Sequence, residues 1–239
     1  MDTLKAVFFD IDDTLYSTSA FAERARRCAI DAMIRVGLRE DPEVLYRELL
    51  EVIHEFSPNY ENHFDKLLLR IPPDAHAGVN PALIIAAGVV AYHETKFREL
   101  KPFNGVLDVM SALSRTDLVR GIITHGTTIK QAEKIVRLEI YPYLTPQALF
   151  ISDQIGIAKP NIKIYQRALD SLQILPSEAL YVGDNPLTDI DPPNEIGMIT
   201  VRHRWPGKYA TVEGKTKPDF EIKAFPEMLE ILKNLGVPV

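Results

Sequence analysis

The sequence predicts an α/β fold in which a parallel sheet is interrupted by an all-α insert. Five short apolar runs have the length and composition of buried strands, and amphipathic helical segments separate most of them. Strands that alternate with helices through short links favour βαβ units, which build a parallel sheet with helices on both faces. The long region between the first and second runs has no strand pattern and is typical of helices.

The strand candidates are rich in β-branched or aromatic residues, and each is too short to be a typical helix. They are residues 4–9, 118–124, 148–152, 179–183 and 198–202.

Two helices are predicted between the later strands. Residues 128–140 place Ile129, Ala132, Ile135 and Val136 on one face, and residues 161–174 repeat the pattern with Ile164, Ala168 and Leu172. Four more helices are predicted before residue 100, at residues 19–36, 42–56, 60–71 and 81–99, with prolines at their starts and breaks. The predicted domains are therefore an α/β core of residues 1–16 and 101–239, and a helical insert of residues 17–100.

The composition limits the partners and the compartment that we expect for this protein. The net charge is −6 and there is no basic run, which argues against a nucleic-acid partner. The single cysteine, Cys28, cannot form an internal disulfide. The longest apolar stretch, residues 81–92, is too short to span a bilayer. Because no cleavable signal is evident in the opening residues either, we expect a cytoplasmic protein without a membrane partner.

The stretch "KAVFFDIDDTLYS" (residues 5–17) is unusual, because an apolar run ends in Asp10, Asp12 and Asp13. Because these carboxylates repel one another, they would contribute little to the stability of the fold. If the chain is near-extended here, Asp10 and Asp12 leave it on the same side. The arrangement suggests a functional site with a cation that neutralises it.

Other polar residues fall at predicted strand ends. Thr124 ends the second strand, Asp184 follows the fourth and Asp189 comes five residues later, while Lys159 lies between the third strand and its helix. Each alone has an ordinary alternative as a helix cap, a turn residue or a solvated surface group. Because ligands bind at the carboxyl ends of parallel strands, the joint occurrence favours a single site.

The order of these residues resembles the motifs of the haloacid dehalogenase superfamily, and within it the phosphatases. "DIDDTL" (10–15) is similar to the first motif, Thr124 in "IITHG" to the second, Lys159 in "AKPNIKIY" to the third, and "GDNPLTD" (183–189) to the fourth. The resemblance covers essentially the whole chain. It implies a Rossmann-like core, and residues 17–100 correspond to a helical cap of the C1 type that closes over a small substrate.

The resemblance also implies residue roles. Asp10 would be the nucleophile that forms an aspartyl-phosphate, and Asp12 the general acid and base. Mg²⁺ would be held by the Asp10 side chain, the Asp12 backbone carbonyl and Asp184, with Asp189 supporting the metal's waters and orienting Lys159. The phosphoryl group would be bound by Thr124 and the amides of His125 and Gly126, together with Lys159.

Asp12 also helps to choose among reactions. Dehalogenation needs no proton for the departing halide, and that branch of the superfamily typically lacks an acid two residues after the nucleophile. We therefore expect a Mg²⁺-dependent phosphatase acting on a small phosphorylated metabolite. Two alternatives stay open: a phosphomutase, which needs the same acid, and a binding or regulatory module without turnover.

Two departures from the family pattern concern the site. His125 stands where the second motif usually has Asn, and it either touches the leaving group or is a packing variant. "IDPPNEIGM" (190–198) replaces a small Gly-Ala pair. Substrate choice is expected from polar residues that are otherwise solvated surface groups: His54, Asn62, His63, Lys66, Arg70, His203, Arg204 and Lys208.

Overall fold

The computed structural model describes residues 3–58 and 60–239. Residues 1, 2 and 59, which belong to the predicted core and insert ranges, lie outside the described residues. The chain folds as two compact units, which we call the α/β unit (Met1–Ser19 and Lys101–Val239) and the helical unit (Ala20–Leu100).

The α/β unit contains six parallel strands among the described residues. They are β1 (Ala6–Phe9), β2 (Val119–Thr124), β3 (Leu149–Ile151), β4 (Ala179–Gly183), β5 (Ile199–His203) and β6 (Phe220–Ile222). Their spatial order is β3-β2-β1-β4-β5-β6. The order reverses between β1 and β4, and ligands of open α/β sheets bind at the carboxyl ends beside such a reversal.

The predicted α/β class and its five strands are confirmed, each strand lying within two residues of its predicted bounds. β6 was not predicted. It has only three residues, and Glu221 in its centre is exposed, so neither an apolar run nor a regular alternation marks it in the sequence.

The helices of the described residues surround this sheet or form the helical unit. They are α1 (Thr18–Val36), α2 (Pro42–Phe56), α3 (His63–Arg70), α4 (Pro81–Glu99), α5 (Val106–Leu113), α6 (Thr128–Arg137), α7 (Ser152–Ile155), α8 (Lys163–Leu172), α9 (Asp191–Glu195) and α10 (Met228–Asn234). Short 3-10 turns occur at Pro73–His76, Tyr141–Tyr143, Pro176–Glu178 and Phe225–Glu227, and a π-helical turn at Pro186–Ile190. No helix of the described residues is long and apolar enough to cross a membrane.

The helical unit has its own apolar core, built from one face of each of its helices. The buried side chains include Met33 on α1, Leu49 on α2, Leu67 on α3 and Ile84 on α4. Capping residues set where these helices begin. At the start of α2, the Asp41 carboxylate accepts hydrogen bonds from the backbone N–H groups of residues 43 and 44, and Pro42 is the first helical residue. The four helices predicted here are thus confirmed.

Helix α6 buries a face that shares Ile135 with the predicted one but excludes Ile129 and Val136. Ile129 and Val136, which we expected to be buried, are 77% and 60% exposed, whereas Gln131 is 1% exposed. The buried side is formed by Gln131, Ile135 and Leu138. The prediction was wrong because it counted only apolar residues, and Gln131 is buried with its amide hydrogen-bonded.

Candidate active site

The predicted site residues lie at the carboxyl edge of the sheet. Residues at the end of β1 pair with β2 on one side and with β4 on the other. Asp10 follows β1 directly, and its backbone N–H donates to the Val182 carbonyl (2.9 Å). Thr124 is the last residue of β2, and Asp184 follows β4. The sheet register therefore places the nucleophile candidate between the other strand-end residues.

Lys159 joins two of the carboxylates from the loop that precedes α8. Its Nζ lies 2.7 Å from Asp10 Oδ1 and 2.8 Å from Asp189 Oδ1, and its side chain is only 4% exposed. Burial opposes its charge, but the two carboxylates outweigh burial and raise the pKa of Lys159. The ammonium is therefore a permanent positive charge beside Asp10.

Three buried carboxylates converge here: Asp10, Asp184 and Asp189, which we call the carboxylate cluster. One ligand oxygen from each lies within 4.8 Å of the other two. Burial, together with the neighbouring Asp189 and Asp10, raises the pKa of Asp184 to about 9. Burial, opposed by Lys159, raises the pKa of Asp10 to about 6. One ammonium thus leaves the negative charge of the cluster incompletely balanced.

The chemistry of these donors fits a hard divalent cation. Carboxylate oxygens are the ligands that Mg²⁺ and Ca²⁺ prefer. The Thr14 hydroxyl donates a hydrogen bond to Asp184 Oδ1 (3.4 Å), and among the described residues no ion pair reaches this carboxylate. A cation bound against Asp184 would supply the charge that this group lacks and would lower its pKa.

Gly183 makes the close approach of Asp189 possible. A Cβ atom at Gly183 would lie 2.2 Å from the Asp189 Cβ, which no packing tolerates. The Asp189 carboxylate then accepts a backbone N–H from Asn185 (3.1 Å) in addition to Lys159. The glycine before Asp184 is therefore a requirement for the cluster.

Asp12 lies outside the carboxylate cluster and is surrounded by donors. Its Oδ1 accepts hydrogen bonds from Tyr16 Oη (2.7 Å), Thr18 Oγ1 (3.0 Å) and Lys134 Nζ (2.6 Å). Its Oδ2 accepts from Gln131 Nε2 (3.0 Å) and Lys134 Nζ (2.7 Å). Burial disfavours the charged Asp12, but the Lys134 ammonium and these hydrogen bonds outweigh burial and lower its pKa.

The segment after β2 presents a hydroxyl and a tight turn. Thr124 is fully buried, and its Oγ1 accepts a hydrogen bond from Gln131 Nε2 (2.7 Å). The His125 side chain is exposed. Gly126 has a φ of 150°, and its amide donates to Ser152 Oγ (3.0 Å), so a phosphoryl oxygen would have to share or replace that acceptor.

Four site residues were missed by the sequence reasoning: Tyr16, Thr18, Gln131 and Lys134. Gln131 and Lys134 belong to a helix whose polar positions were assigned to solvent. Their only signal was a spacing of three residues, which puts them on one side of α6. Nothing in the sequence indicates that this side faces Asp12.

The other polar candidates have mostly structural contacts. His203, expected at the surface, is 3% exposed, with Nδ1 2.9 Å from the Thr14 carbonyl and its ring edge-on to Phe103 and Phe225. Its aromatic packing explains why that expectation was wrong. Arg204 forms ion pairs with two glutamates. In the helical unit, Arg70 forms ion pairs with three.

Comparison with known proteins yields relatives along nearly the whole chain. Glyceraldehyde 3-phosphate phosphatase of Methanopyrus kandleri is 46% identical over 238 residues, which cover 98% of this chain and 99% of the relative. The protein of the same name from Pyrococcus furiosus is 42% identical, covering 98% and 95%, and that from Methanocaldococcus jannaschii is 37% identical, covering 97% and 98%.

Solved structures share the fold. A HAD phosphatase from Thermococcus onnurineus superposes with a TM-score of 0.66 at 21% identity, covering 99% of this chain and 100% of that one. A 2-haloacid dehalogenase from Pseudomonas syringae gives 0.62 at 23% identity, covering 97% and 99%. The family model of the haloacid dehalogenase-like hydrolases matches residues 4–197. The chain therefore belongs to the haloacid dehalogenase-like hydrolases.

Proposed function

We propose that this hydrolase is a Mg²⁺-dependent phosphatase whose substrate is glyceraldehyde 3-phosphate. The observation that carries the reaction class is the Asp10 carboxylate held against Lys159 at the carboxyl edge of the sheet (2.7 Å), beside two further acids. The substrate is supported by the names of three relatives at 37–46% identity that match nearly their full length.

In this proposal Mg²⁺ would be held by Asp10, the backbone carbonyl of Asp12 and Asp184. When bound, it offsets the charge of the phosphate dianion, which otherwise repels an attacking carboxylate. Asp189 holds Lys159 in place through their 2.8 Å contact and completes the acidic side of the site.

The first step is transfer of the phosphoryl group to Asp10. One carboxylate oxygen of Asp10 attacks phosphorus, and the bond between phosphorus and the ester oxygen breaks. Asp12 acts here in its protonated form, which its lowered pKa makes the minority form of the free enzyme near neutral pH. The leaving alkoxide takes this proton, so a neutral alcohol departs. The Lys159 ammonium lies beside Asp10, where negative charge accumulates on the phosphoryl oxygens.

The second step restores the enzyme. Asp12, now a carboxylate, removes a proton from a water molecule whose oxygen attacks the phosphorus of the aspartyl-phosphate. The acyl–phosphate bond breaks, inorganic phosphate leaves, and Asp12 again carries a proton. Thr124, the amides of His125 and Gly126, and Lys159 bind the phosphoryl oxygens in both steps.

The test measures phosphate release from glyceraldehyde 3-phosphate and its isomer dihydroxyacetone phosphate, with Mg²⁺ or with a chelator. We expect release to require the metal and to disappear in Asp10→Asn. In Asp12→Asn, kcat should fall roughly 10²–10⁴-fold, the usual contribution of a general acid. Asp170→Asn, an exposed aspartate of α8, is the matched control and should behave as wild type.

Other outcomes would change the assignment. Release from dihydroxyacetone phosphate but not from glyceraldehyde 3-phosphate would identify the other triose phosphate as the substrate. No release from either, combined with activation by a sugar bisphosphate, would indicate the phosphomutase alternative. Mg²⁺ binding without turnover on any phosphate ester would indicate a regulatory module.

A cytoplasmic location, and the role of the helical unit as a cap, stay predictions.

A further inference from the structure

Helix α6 presents two polar side chains to the proposed acid–base residue. Gln131 and Lys134 are three positions apart, so they project from the same side of the helix. Gln131 Nε2 lies 3.0 Å from Asp12 Oδ2, and Lys134 Nζ lies 2.6 Å and 2.7 Å from the two carboxylate oxygens. Both residues contact Asp12 although they are more than a hundred positions away from it in the sequence.

These contacts hold the carboxyl group through both of its oxygens. Oδ1 accepts hydrogen bonds from Tyr16, Thr18 and Lys134, and Oδ2 accepts from Gln131 and Lys134. The reaction needs the same group once as an acid and once as a base. Donors on both oxygens fix the rotation of the carboxyl plane, and Gln131 and Lys134 are the donors to Oδ2 among the described residues.

Gln131 also connects Asp12 to the second motif. Its side-chain nitrogen lies 2.7 Å from Thr124 Oγ1 and 2.9 Å from the His125 carbonyl oxygen. Since Thr124 Oγ1 accepts from Gln131, the hydroxyl hydrogen is directed away from that amide. A Cβ at Gly126 would lie 3.0 Å from Gln131 Cδ, so the turn packs directly on this side chain.

We propose that Gln131 and Lys134 are positioning residues of the reaction, which hold the Asp12 carboxyl group in register with Thr124 for proton transfer to the leaving alkoxide and from the attacking water. This proposal rests on the proposed function, and it adds two residues outside the four motifs. Neither residue touches the substrate in this proposal. Lys134 acts through Asp12, and Gln131 acts through Asp12 and Thr124.

The experiment compares two substrates that differ in their need for a proton. The alkoxide of glyceraldehyde 3-phosphate is a poor leaving group and needs protonation, whereas p-nitrophenyl phosphate releases a stable anion. In Lys134→Met and Gln131→Met, kcat/KM for glyceraldehyde 3-phosphate should fall at least ~10-fold, mostly through kcat, as part of the general-acid contribution. For p-nitrophenyl phosphate, kcat/KM should change less than ~3-fold in Lys134→Met. Gln131→Met also loses the contact with Thr124, so it should lower kcat/KM for both substrates, but more for glyceraldehyde 3-phosphate.

Two variants test whether Lys134 acts through Asp12. In the Asp12→Asn background, Lys134→Met should cost no more than ~2-fold, because the group it positions is already absent. Lys134→Arg, which keeps a charged donor, should recover most of the rate. Lys233→Met, an exposed lysine of α10, is the matched control for the loss of a charge.

Several results would overturn the proposal. An equal loss with both substrates in Lys134→Met would mean that α6 merely supports the fold, and a faster Lys134→Met enzyme would mean that Lys134 restrains Asp12. Independent, additive effects in the Asp12→Asn background would also refute it. A wild-type enzyme that hydrolyses neither substrate would refute the proposed function instead, and the two failures are thereby distinguished.

Discussion

Replacement of Lys159 by methionine should destabilise the metal-free protein strongly. The ammonium is almost fully buried and bridges Asp10 and Asp189 at 2.7 Å and 2.8 Å, 5.3 Å from the centre of the Tyr181 ring. Removing one partner of a buried ion pair costs about 3–5 kcal/mol, because the remaining charge stays without compensation. Two carboxylates depend on this lysine, so we expect the upper part of that range.

The loss should depend on pH, because protons can replace the missing charge. Without Lys159 the pKa of Asp10, already raised to about 6 in the wild type, rises further in the folded state. The folded variant then holds protons that the unfolded chain releases, so its free energy of unfolding falls as pH rises. The difference from wild type should therefore be larger near pH ~8 than near pH ~5.

Urea unfolding in the presence of a chelator measures this free energy. Lys163→Met, at an exposed lysine four positions further along the chain, controls for the loss of one positive charge and should cost less than ~0.5 kcal/mol. A loss below ~1 kcal/mol in Lys159→Met, or a loss independent of pH, would refute the reasoning that Lys159 balances the buried acids. Added Mg²⁺ should restore part of the stability, since it supplies charge to the same cluster.

Three further predictions concern stability and metal binding. The pKa values of Asp10 and Asp184 are raised to about 6 and about 9 in the folded protein. The free energy of unfolding of the metal-free chain should therefore fall from pH ~4 to pH ~9, and the stabilisation by Mg²⁺ should grow over the same range. Urea titrations with and without metal measure both trends. A metal effect independent of pH would contradict this. Gly183→Ala should displace Asp189, cost about 1–3 kcal/mol and weaken Mg²⁺ binding in calorimetry, and unchanged metal affinity would argue against a role of that carboxylate. Asp41→Ala removes two cap hydrogen bonds of α2 and should cost about 1 kcal/mol in thermal unfolding, whereas no loss would mean that water replaces the cap.

The first and fourth motifs were predictable because their residues directly continue buried strands. Asp10 and Asp184 follow apolar runs whose pairing in a parallel sheet brings their ends together. Lys159 is harder to place from a loop, and only its place in the motif order marked it. Its near-complete burial between two carboxylates follows from tertiary packing.

Other features could not be read from hydrophobicity. The buried side of α6 contains Gln131, whose burial is tolerated because Thr124, His125 and Asp12 accept its hydrogen bonds. A periodicity analysis assigns such a residue to solvent. His203 was misplaced for a similar reason, since its ring packs between Phe103 and Phe225.

The sequence by itself determined the α/β class, the bounds of most strands and helices, and the carboxylates at the strand ends. These depend on local periodicity and on residue order, which the chain carries in one dimension. Only the tertiary structure decided which charges meet: Lys159 with Asp10 and Asp189, and Lys134 with Asp12. Such pairs join residues far apart in the chain, and their energies depend on distances and burial that exist only after the sheet and α6 have packed.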